Sequence, residues 1–341
     1  MKPLETERLI LRKLEEDDFD AVHSYISCAE TGIYMPWGLN SEEEAWSYIE
    51  LAITEAKKEP IFHYHYASVL KETGVLIGGC RVSGDGSLCW VLHRDYWNQG
   101  FGAEMGKAMM QYGFEELNLH RLFATCDTEN TDSYRLMERL GMRREGTFLE
   151  YRPPNKKSDK KHSDWFTYAI LVDEWETQKE IAYYKTLPVV FGGFIDLPEL
   201  SDGVIHLVCT EKKPGIPEKK WVPSYEFIIC KGSEKAGNIS LRIGYSDGLY
   251  YGGQIGYNID EKYRGNGYAV RACRLLQRVA AAHGMKTLLI TTNHTNTASM
   301  RVCEKLGARL LRTVPVPKWS DLYTEGNRFQ NIYEWDVASP G

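Results

Sequence analysis

The stretch Tyr263–Val270, YRGNGYAV, decides the fold. Taken alone, Asn266-Gly267 reads as the tight turn of a β-hairpin, because Asn-Gly favours two successive positive φ angles, and a second strand would come next. The chain instead continues as AVRACRLLQRVAAAHG, with apolar residues at Ala269, Ala272, Cys273, Leu276, Val279 and Ala280. That is the i, i+3, i+4, i+7 spacing of a helix. On the other side QIGYNID alternates Ile255, Tyr257 and Ile259 with polar or small residues, as a half-buried strand does. The unit is therefore strand, glycine turn, helix.

Such a turn leaves the first backbone N–H groups of the helix without internal partners, at the positive end of the helix dipole. It is an anion site by construction. A side chain at Gly265 or Gly267 would hold a phosphate away from those donors, and the turn itself calls for φ angles other residues avoid. A glycine turn that only packs closely fits the same signal.

The unit occurs twice. LCWVLHRDYWNQGFGAEMGKAMMQYGFEEL sets a strand before a second glycine turn, Asn98–Gly102, and a helix with Met105, Ala108, Met109 and Tyr112 on one face. Gly100 and Gly267 are 167 residues apart (267 − 100), as are Trp90 and Tyr257 (257 − 90). Further on, ENTDSYRLMERLGM matches TNTASMRVCEKLGA, with Asn130 and Asn296 166 residues apart (296 − 130) and Ser133 facing Ser299. A period this long means two copies of a whole domain rather than a solenoid. The expected division is a first domain over 1–178, a linker over 179–187 and a second domain over 188–341. The first copy adds the strand RLILRKL, a helix from about Asp17 and another from about Ser41, where SEEE forms a capping box of Ser41 and Glu44. In the second copy, TEKKPGIPEKKWVP takes the place of those helices.

Strand, glycine turn, helix, strand and Asn-x-x-Ser helix, in that order and twice, resemble the GNAT superfamily of acyl-CoA-dependent N-acetyltransferases. Arg264-Gly265-Asn266-Gly267-Tyr268-Ala269 matches that family's signature throughout. Trp97-Asn98-Gln99-Gly100-Phe101-Gly102 departs at its first position, where Trp replaces Arg or Gln. With LETERLILRKL, the Glu129-Asn130 pair, Ser133 and Glu174-Trp175, that variant is similar to the RimJ/RimL branch, whose members acetylate ribosomal-protein N-termini or have unknown substrates. The resemblance implies an α/β (α+β) fold: two tandem domains, each a twisted, mostly antiparallel sheet flanked by helices, with a splayed strand pair that binds acyl-CoA. It implies that backbone donors around Gln99, Gly100, Phe101, Gly102 and Ala103, and around Arg264, Gly265, Asn266, Gly267, Tyr268 and Ala269, hold the CoA pyrophosphate. Pantetheine would run along Leu92 and His93, or along Ile259, with Asn130 and Asn296 as its hydrogen-bonding asparagines. Both asparagines also suit a helix N-cap.

N-acetylation by direct attack asks the protein to orient amine and thioester, take the amine's proton and stabilise the departing thiolate. The family's usual glutamate base falls at Ser87 and Gln254, neither a useful base, and its usual tyrosine acid at Met137 and Cys303. Ser133 and Ser299 become the candidate catalytic residues through a hydrogen bond to the thiolate, with a helix-start role as the alternative. Asp127, Glu129 and His93 are weaker candidates to receive the proton through water. A lysine amine costs about 4.6 kcal/mol to deprotonate at pH 7 and an α-amine about 1 to 1.4, so a site without a carboxylate base suits an α-amine or another weakly basic amine. Tyr34 and Trp37, with Met35, are candidates to line the acceptor pocket, and the basic run PPNKKSDKKH lies near its expected entrance.

Composition sets the outer bounds. A chain of 341 residues with 43% hydrophobic content is long enough for two domains. A formal net charge of −6 argues against nucleic-acid binding. No apolar run reaches the roughly 18 residues of a membrane span, and the charged start, MKPLETERLILRKLEEDD, is unlike a signal peptide. A cytoplasmic protein is the expectation. The eight cysteines show no CxxC pair, so no metal site is expected and buried thiols are. The expected reading is an N-acetyltransferase using acetyl-CoA and an amine acceptor, with oligomeric state open. The competing reading is a non-catalytic, CoA-responsive regulatory protein. A Rossmann dinucleotide enzyme is disfavoured, since no acidic residue stands at the ribose position.

Overall fold

In the first half the chain forms β1 (Leu4–Glu5), β2 (Leu9–Arg12), α1 (Phe19–Ile26), α2 (Ala29–Gly32), α3 (Glu42–Glu55), β3 (His63–Leu70), β4 (Leu76–Ser83), β5 (Leu88–Leu92), α4 (Phe101–Gln111), β6 (Arg121–Asp127), α5 (Thr131–Arg139), β7 (Arg143–Arg152) and β8 (Ser163–Leu171). This is a computed structural model, and it describes residues 1–32, 34, 41–152, 162–189 and 191–337. The chain divides into two units, Met1–Glu176 and Thr177–Gly341.

Each unit carries an antiparallel sheet broken in two. In the first, β1-β2-β3-β4-β5 make one part and β6-β8-β7 the other. The parts touch at one parallel bridge, Ser87 with Phe123, where Phe123 N–H donates to Gly86 O at 2.9 Å. Gly86 permits that approach: a Cβ there would sit 2.2 Å from Arg121 O. Beyond the bridge no ladder joins β5 to β6, so the two strands diverge.

The local signals act as their chemistry dictates. Ser41 Oγ accepts from Glu44 N–H at 3.3 Å and Glu44 Oε2 from Ser41 N–H at 2.9 Å, which closes the capping box of α3. Met105 and Met109 of α4 are fully buried against Leu122, Ala124 and Cys126, the inward-facing residues of β6. α1 and α3 cover the other face of β3 and β4 through Val22, Tyr25, Ile26, Ala45 and Ile49.

α6 (Val172–Thr186) comes next, and the second unit continues with β9 (His206–Lys213), β10 (Ser224–Lys231), β11 (Glu234–Arg242), α7 (Asp247–Gly252), β12 (Ile255–Ile259), α8 (Tyr268–Ala282), β13 (Thr287–Asn293), α9 (Thr297–Leu306), β14 (Arg309–Pro315), α10 (Asp321–Thr324) and β15 (Phe329–Asp336). Its sheet parts are β12-β11-β10-β9 and β13-β15-β14. All six apolar positions read from the α8 pattern are buried. Between β9 and β10 the chain makes one short 3-10 turn, Pro217–Lys219, and no α-helix. The expected linker 179–187 is helical through Thr186. Tyr184 explains this: it is buried with Tyr250, Leu289 and Ile332, and its hydroxyl donates to Glu334 Oε1 at 2.7 Å.

Candidate active site

The two glycine turns have one geometry. Gly100 has φ +84° and Gly267 +76°, and two residues earlier Asn98 (+58°) matches Gly265 (+84°). Alternating left- and right-handed residues turn successive N–H groups to one side, an anion-binding concavity. Asparagine tolerates the left-handed region, which is why position 98 does without glycine. The first donors used inside the helices are Glu104 N–H, on Gly100 O (3.1 Å), and Arg271 N–H, on Gly267 O (3.2 Å). The N–H groups of Phe101, Gly102 and Ala103, and of Tyr268, Ala269 and Val270, are therefore outside the ladder.

Neither helix is capped by a side chain, whereas α3, α5 and α9 are, by Ser41, Asn130 and Asn296. A Cβ on Gly265 or Gly267 would meet nothing within 4 Å, so the second turn opens outward. Open donors, a positive dipole end and no cap fit the pyrophosphate of acyl-CoA.

The side chains at the turns brace them. Gln99 Nε2 donates to Asp95 O at 2.7 Å, and Asn266 Nδ2 donates to Tyr263 O at 3.1 Å. The rings of Phe101 and Tyr268 are buried, which leaves their backbone for any ligand. Trp97 Nε1 donates to Leu92 O at 2.9 Å, and Arg264 Nε donates to Ile259 O at 3.2 Å. Both residue pairs stand 167 apart (264 − 97, 259 − 92), so tryptophan keeps the arginine's structural donor and drops its charge. A cation comes from elsewhere in the first unit. Arg8 donates through Nη1 to Gln99 O (3.0 Å), lies over the Phe101 ring (4.1 Å) and has Nη2 3.3 Å from where a Gly100 Cβ would be. Glu104 holds it, accepting from Arg8 N–H (2.6 Å), Arg8 Nε (2.7 Å) and Thr6 Oγ1 (2.6 Å). Sequence reading missed this triad, because LETERLILRKL is a motif whose partner sits 96 residues away.

At the divergence the two units differ. Ser87 forms its bridge, whereas Gln254, fully buried, staples β12 to β13: its backbone N–H donates to Leu289 O (2.8 Å), its Oε1 accepts from Leu289 N–H (2.6 Å) and its Nε2 donates to Gly244 O (3.0 Å). Met137 and Cys303 are buried in the cores. Asn130 and Asn296 accept from Ser133 N–H and Ser299 N–H, each at 3.1 Å, so both are N-caps through Oδ1, with the amide NH2 outside the cap. Ser299 Oγ shares a 2.6 Å hydrogen bond with Tyr257, while Ser133 lies beside the Cys126 thiol. Burial pushes that thiol up to about 12, against a smaller lowering by Ser133, and pushes Cys80 and Cys303 up to about 12 as well. These thiols stay protonated at neutral pH. None of the eight cysteines is in a disulfide.

Asp127 Oδ1 accepts from Glu129 N–H (2.9 Å), and His93 donates its backbone N–H to Ile77 O (2.8 Å) and accepts at Nδ1 from Asp95 N–H (3.3 Å). Asp127 and His93 are thus tied into turns through their side chains, and Glu129 through its backbone. Tyr34 is half-buried after α2; Trp37, Met35 and the basic run up to Lys161 lie outside the described residues. Among the described residues no helix is long and apolar enough to cross a membrane.

The sequence model of the acetyltransferase (GNAT) domain matches residues 8–143 and again 206–309. The chain is 36% identical over 179 residues to the uncharacterized N-acetyltransferase YnaD of Bacillus subtilis, a match covering 50% of this chain and 97% of that protein. It is 30% identical over 182 residues to the uncharacterized N-acetyltransferase p20 of Bacillus licheniformis, covering 51% of this chain and 99% of that one. The crystal structure of a GNAT-family acetyltransferase from Bacillus anthracis is 34% identical, with a TM-score of 0.43, over 50% of this chain and 98% of that one.

Proposed function

This chain belongs to the GNAT acetyltransferase family, and we propose that the first of its two units transfers the acetyl group of acetyl-CoA to a weakly basic amine while the second binds CoA without turnover. The thioester supplies the activated acetyl carbon that the amine attacks. The observation that carries the reading is the pair of uncapped, glycine-started helices, each beside strands that diverge.

In this reading the N–H groups after Gly100 hold the pyrophosphate, with Arg8 adding positive charge beside them. The Asn130 NH2 donates to pantetheine. Ser133 Oγ–H donates to the departing sulfur, in a half-buried setting that strengthens such a bond. Ser87 and Met137 supply neither base nor acid, so the amine arrives neutral or loses its proton to water. That favours an α-amine or another amine of low basicity. The second unit is read as silent because both polar atoms of the Gln254 side chain are committed to backbone partners and Tyr257 occupies Ser299.

The test is thiol release from acetyl-CoA across a panel of small amines and N-terminal peptides, with the wild type, Gly100→Glu and Gly267→Glu. Turnover lost in G100E and kept in G267E is expected. Turnover that survives G100E would assign the chemistry to the other unit.

A further inference from the structure

Among the described residues seven buried side-chain polar atoms lack a hydrogen-bond partner, and three of them, Tyr25 Oη, His65 Nδ1 and Arg81 Nε, fall in one patch of the first unit. The sheet register makes the patch. His65 on β3 faces Arg81 on β4, Arg81 faces Cys89 on β5, and Ala67 faces Gly79 two pairs further along. Directly opposed residues point to the same side of a sheet, here the side covered by α1 and α3. Those helices bring two tyrosines down onto it. A Cβ at Gly79 would lie 3.2 Å from Tyr25 Oη and 3.7 Å from Tyr48 Oη, and the Tyr48 ring packs edge-on against His65 at 5.6 Å.

Arg81 makes no ion pair among the described residues. The nearby carboxylate, Glu55, is bonded to Lys58. His65 is 5% exposed, and burial, then Arg81 and His63, push its pKa down to about 4, so it is neutral at pH 7. A half-buried guanidinium with unused donors, ringed by neutral hydrogen-bonding groups, is costly unless an anion completes it. The second unit is built otherwise at the matching register positions: Ser240 stands opposite Gly256, and Glu226 opposite Ser240. The cation nearby, Arg242, stands two residues along, donates through Nη1 to Gly253 O at 3.3 Å and has Glu226 as a counter-charge.

We propose that the face of the first unit's sheet beneath α1 and α3 recognises the anionic group, carboxylate or phosphate, of a small acceptor amine, with Arg81 as the cation and Tyr25, Tyr48 and His65 as neutral partners. The proposal rests on the reading that the thioester lies at the divergence of β5 from β6. Cys89 is two residues past the bridge at Ser87 and on the same side of β5. Arg81 is its neighbour one strand over, about 5 Å away. An anion on Arg81 therefore leaves the amine of a small molecule near the acetyl carbon, whereas a neutral peptide N-terminus would leave Arg81 uncompensated.

The test pairs α-amino acids with their carboxamides, and phosphoethanolamine with ethanolamine. Each is titrated calorimetrically into the CoA-saturated full-length protein and assayed separately for acetylation. The expected result is at least a tenfold preference for the anionic member of one pair type. The preference disappears in Arg81→Met, survives in part in Arg81→Lys, and CoA affinity is the same in both variants. The acid–amide pair against the phosphate pair identifies which anion is read. Equal affinity within every pair, or a preference that R81M leaves intact with CoA still bound, overturns the proposal. Anion binding that depends on Arg81 without any acetylation would support this site and remove the transferase reading. Acetylation of neutral peptides with no anion preference would do the reverse.

Discussion

Tyr257 and Ser299 hold each other at 2.6 Å, joining the strand before the second glycine turn to the helix after the second capping asparagine. The aligned residue in the first unit is Trp90, whose indole nitrogen makes no such bond to Ser133. Ser299 is thus held by a tyrosine hydroxyl, whereas the group beside Ser133 is the Cys126 thiol, a weak hydrogen-bonding partner that a ligand can displace. Ser133→Ala should lower kcat roughly 10- to 100-fold, the range for removing one donor to developing charge, with KM for acetyl-CoA little changed. Ser299→Ala should leave kcat alone. Steady-state kinetics of the two variants decide between the serines, and equal losses would remove the distinction between the units.

The glycine turns predict stoichiometry. Calorimetric titration of CoA into the intact chain should show two sites, falling to one in Gly100→Glu and to one in Gly267→Glu. Both substitutions place a carboxylate at a phosphate site, and both force a side chain into φ near +80°. Because that conformation costs about 1–2 kcal/mol for an L-residue, Gly267→Ala is the control. It should destabilise by that amount and keep weakened CoA binding. A wild type with one site from the start would make one turn a scaffold.

The repeat, its order of elements and the glycine turns were readable from the sequence because each rests on short-range physics. Periodicity places α8, Ser41 and Glu44 close α3, and two asparagines start α5 and α9. What could not be read depends on contacts between distant segments. Glu104 shows no sign of its role until Arg8 and Thr6 are beside it, and Arg81 is an ordinary strand residue until α1 and α3 seal its neighbours. The helical state of the expected linker through Thr186 was unreadable for the same reason. A polar segment with two tyrosines looks exposed until one of them finds Glu334.

The Arg8–Glu104 pair predicts an acid limit. Burial alone would raise the Glu104 carboxyl, but hydrogen bonds from Thr6 and from the Arg8 backbone and guanidinium outweigh it and hold the pKa below the ordinary value of 4.5. A group depressed in the folded state contributes stability above its unfolded pKa and loses it as pH falls through the folded one. The stability that Glu104 gives the first unit should therefore be fully present above about pH 5 and be lost as pH falls below 4.5. Glu104→Gln should show the weakened behaviour at every pH. A pH series of thermal melts with CoA present checks this, and an unchanged profile in E104Q would rule the pair out as the source.

Trp97 predicts a swap. Trp97→Phe removes the donor to Leu92 O and should cost about 1 kcal/mol, with weaker CoA binding because the turn loses a brace. Trp97→Arg restores the bond that Arg264 makes in the other unit and adds a charge, so CoA affinity should return to wild-type strength or exceed it. Dissociation constants across the three proteins test this order.

Gln254 gives the sharpest contrast between the family's chemistry and this chain's. The family resemblance places a glutamate base at this position, so Gln254→Glu looks like a gain of activity. The structure predicts a loss of stability instead. Nε2 donates to Gly244 O and Oε1 accepts from Leu289 N–H, with the side chain fully buried. A carboxylate keeps the bond from Leu289 N–H but sets its other oxygen against Gly244 O, and it must be desolvated without a cation; a protonated one keeps both bonds only by raising its pKa. Gln254→Glu should cost about 2–3 kcal/mol at pH 7 and less at pH 4, whereas Gln254→Leu, which strands Leu289 N–H and Gly244 O, should cost a similar amount at both. Urea unfolding monitored at the two pH values separates them. A Gln254→Glu variant as stable as wild type, with new acetyl transfer in a Gly100→Glu background, would show that the second unit is an enzyme one substitution from activity rather than a stapled CoA-binding domain.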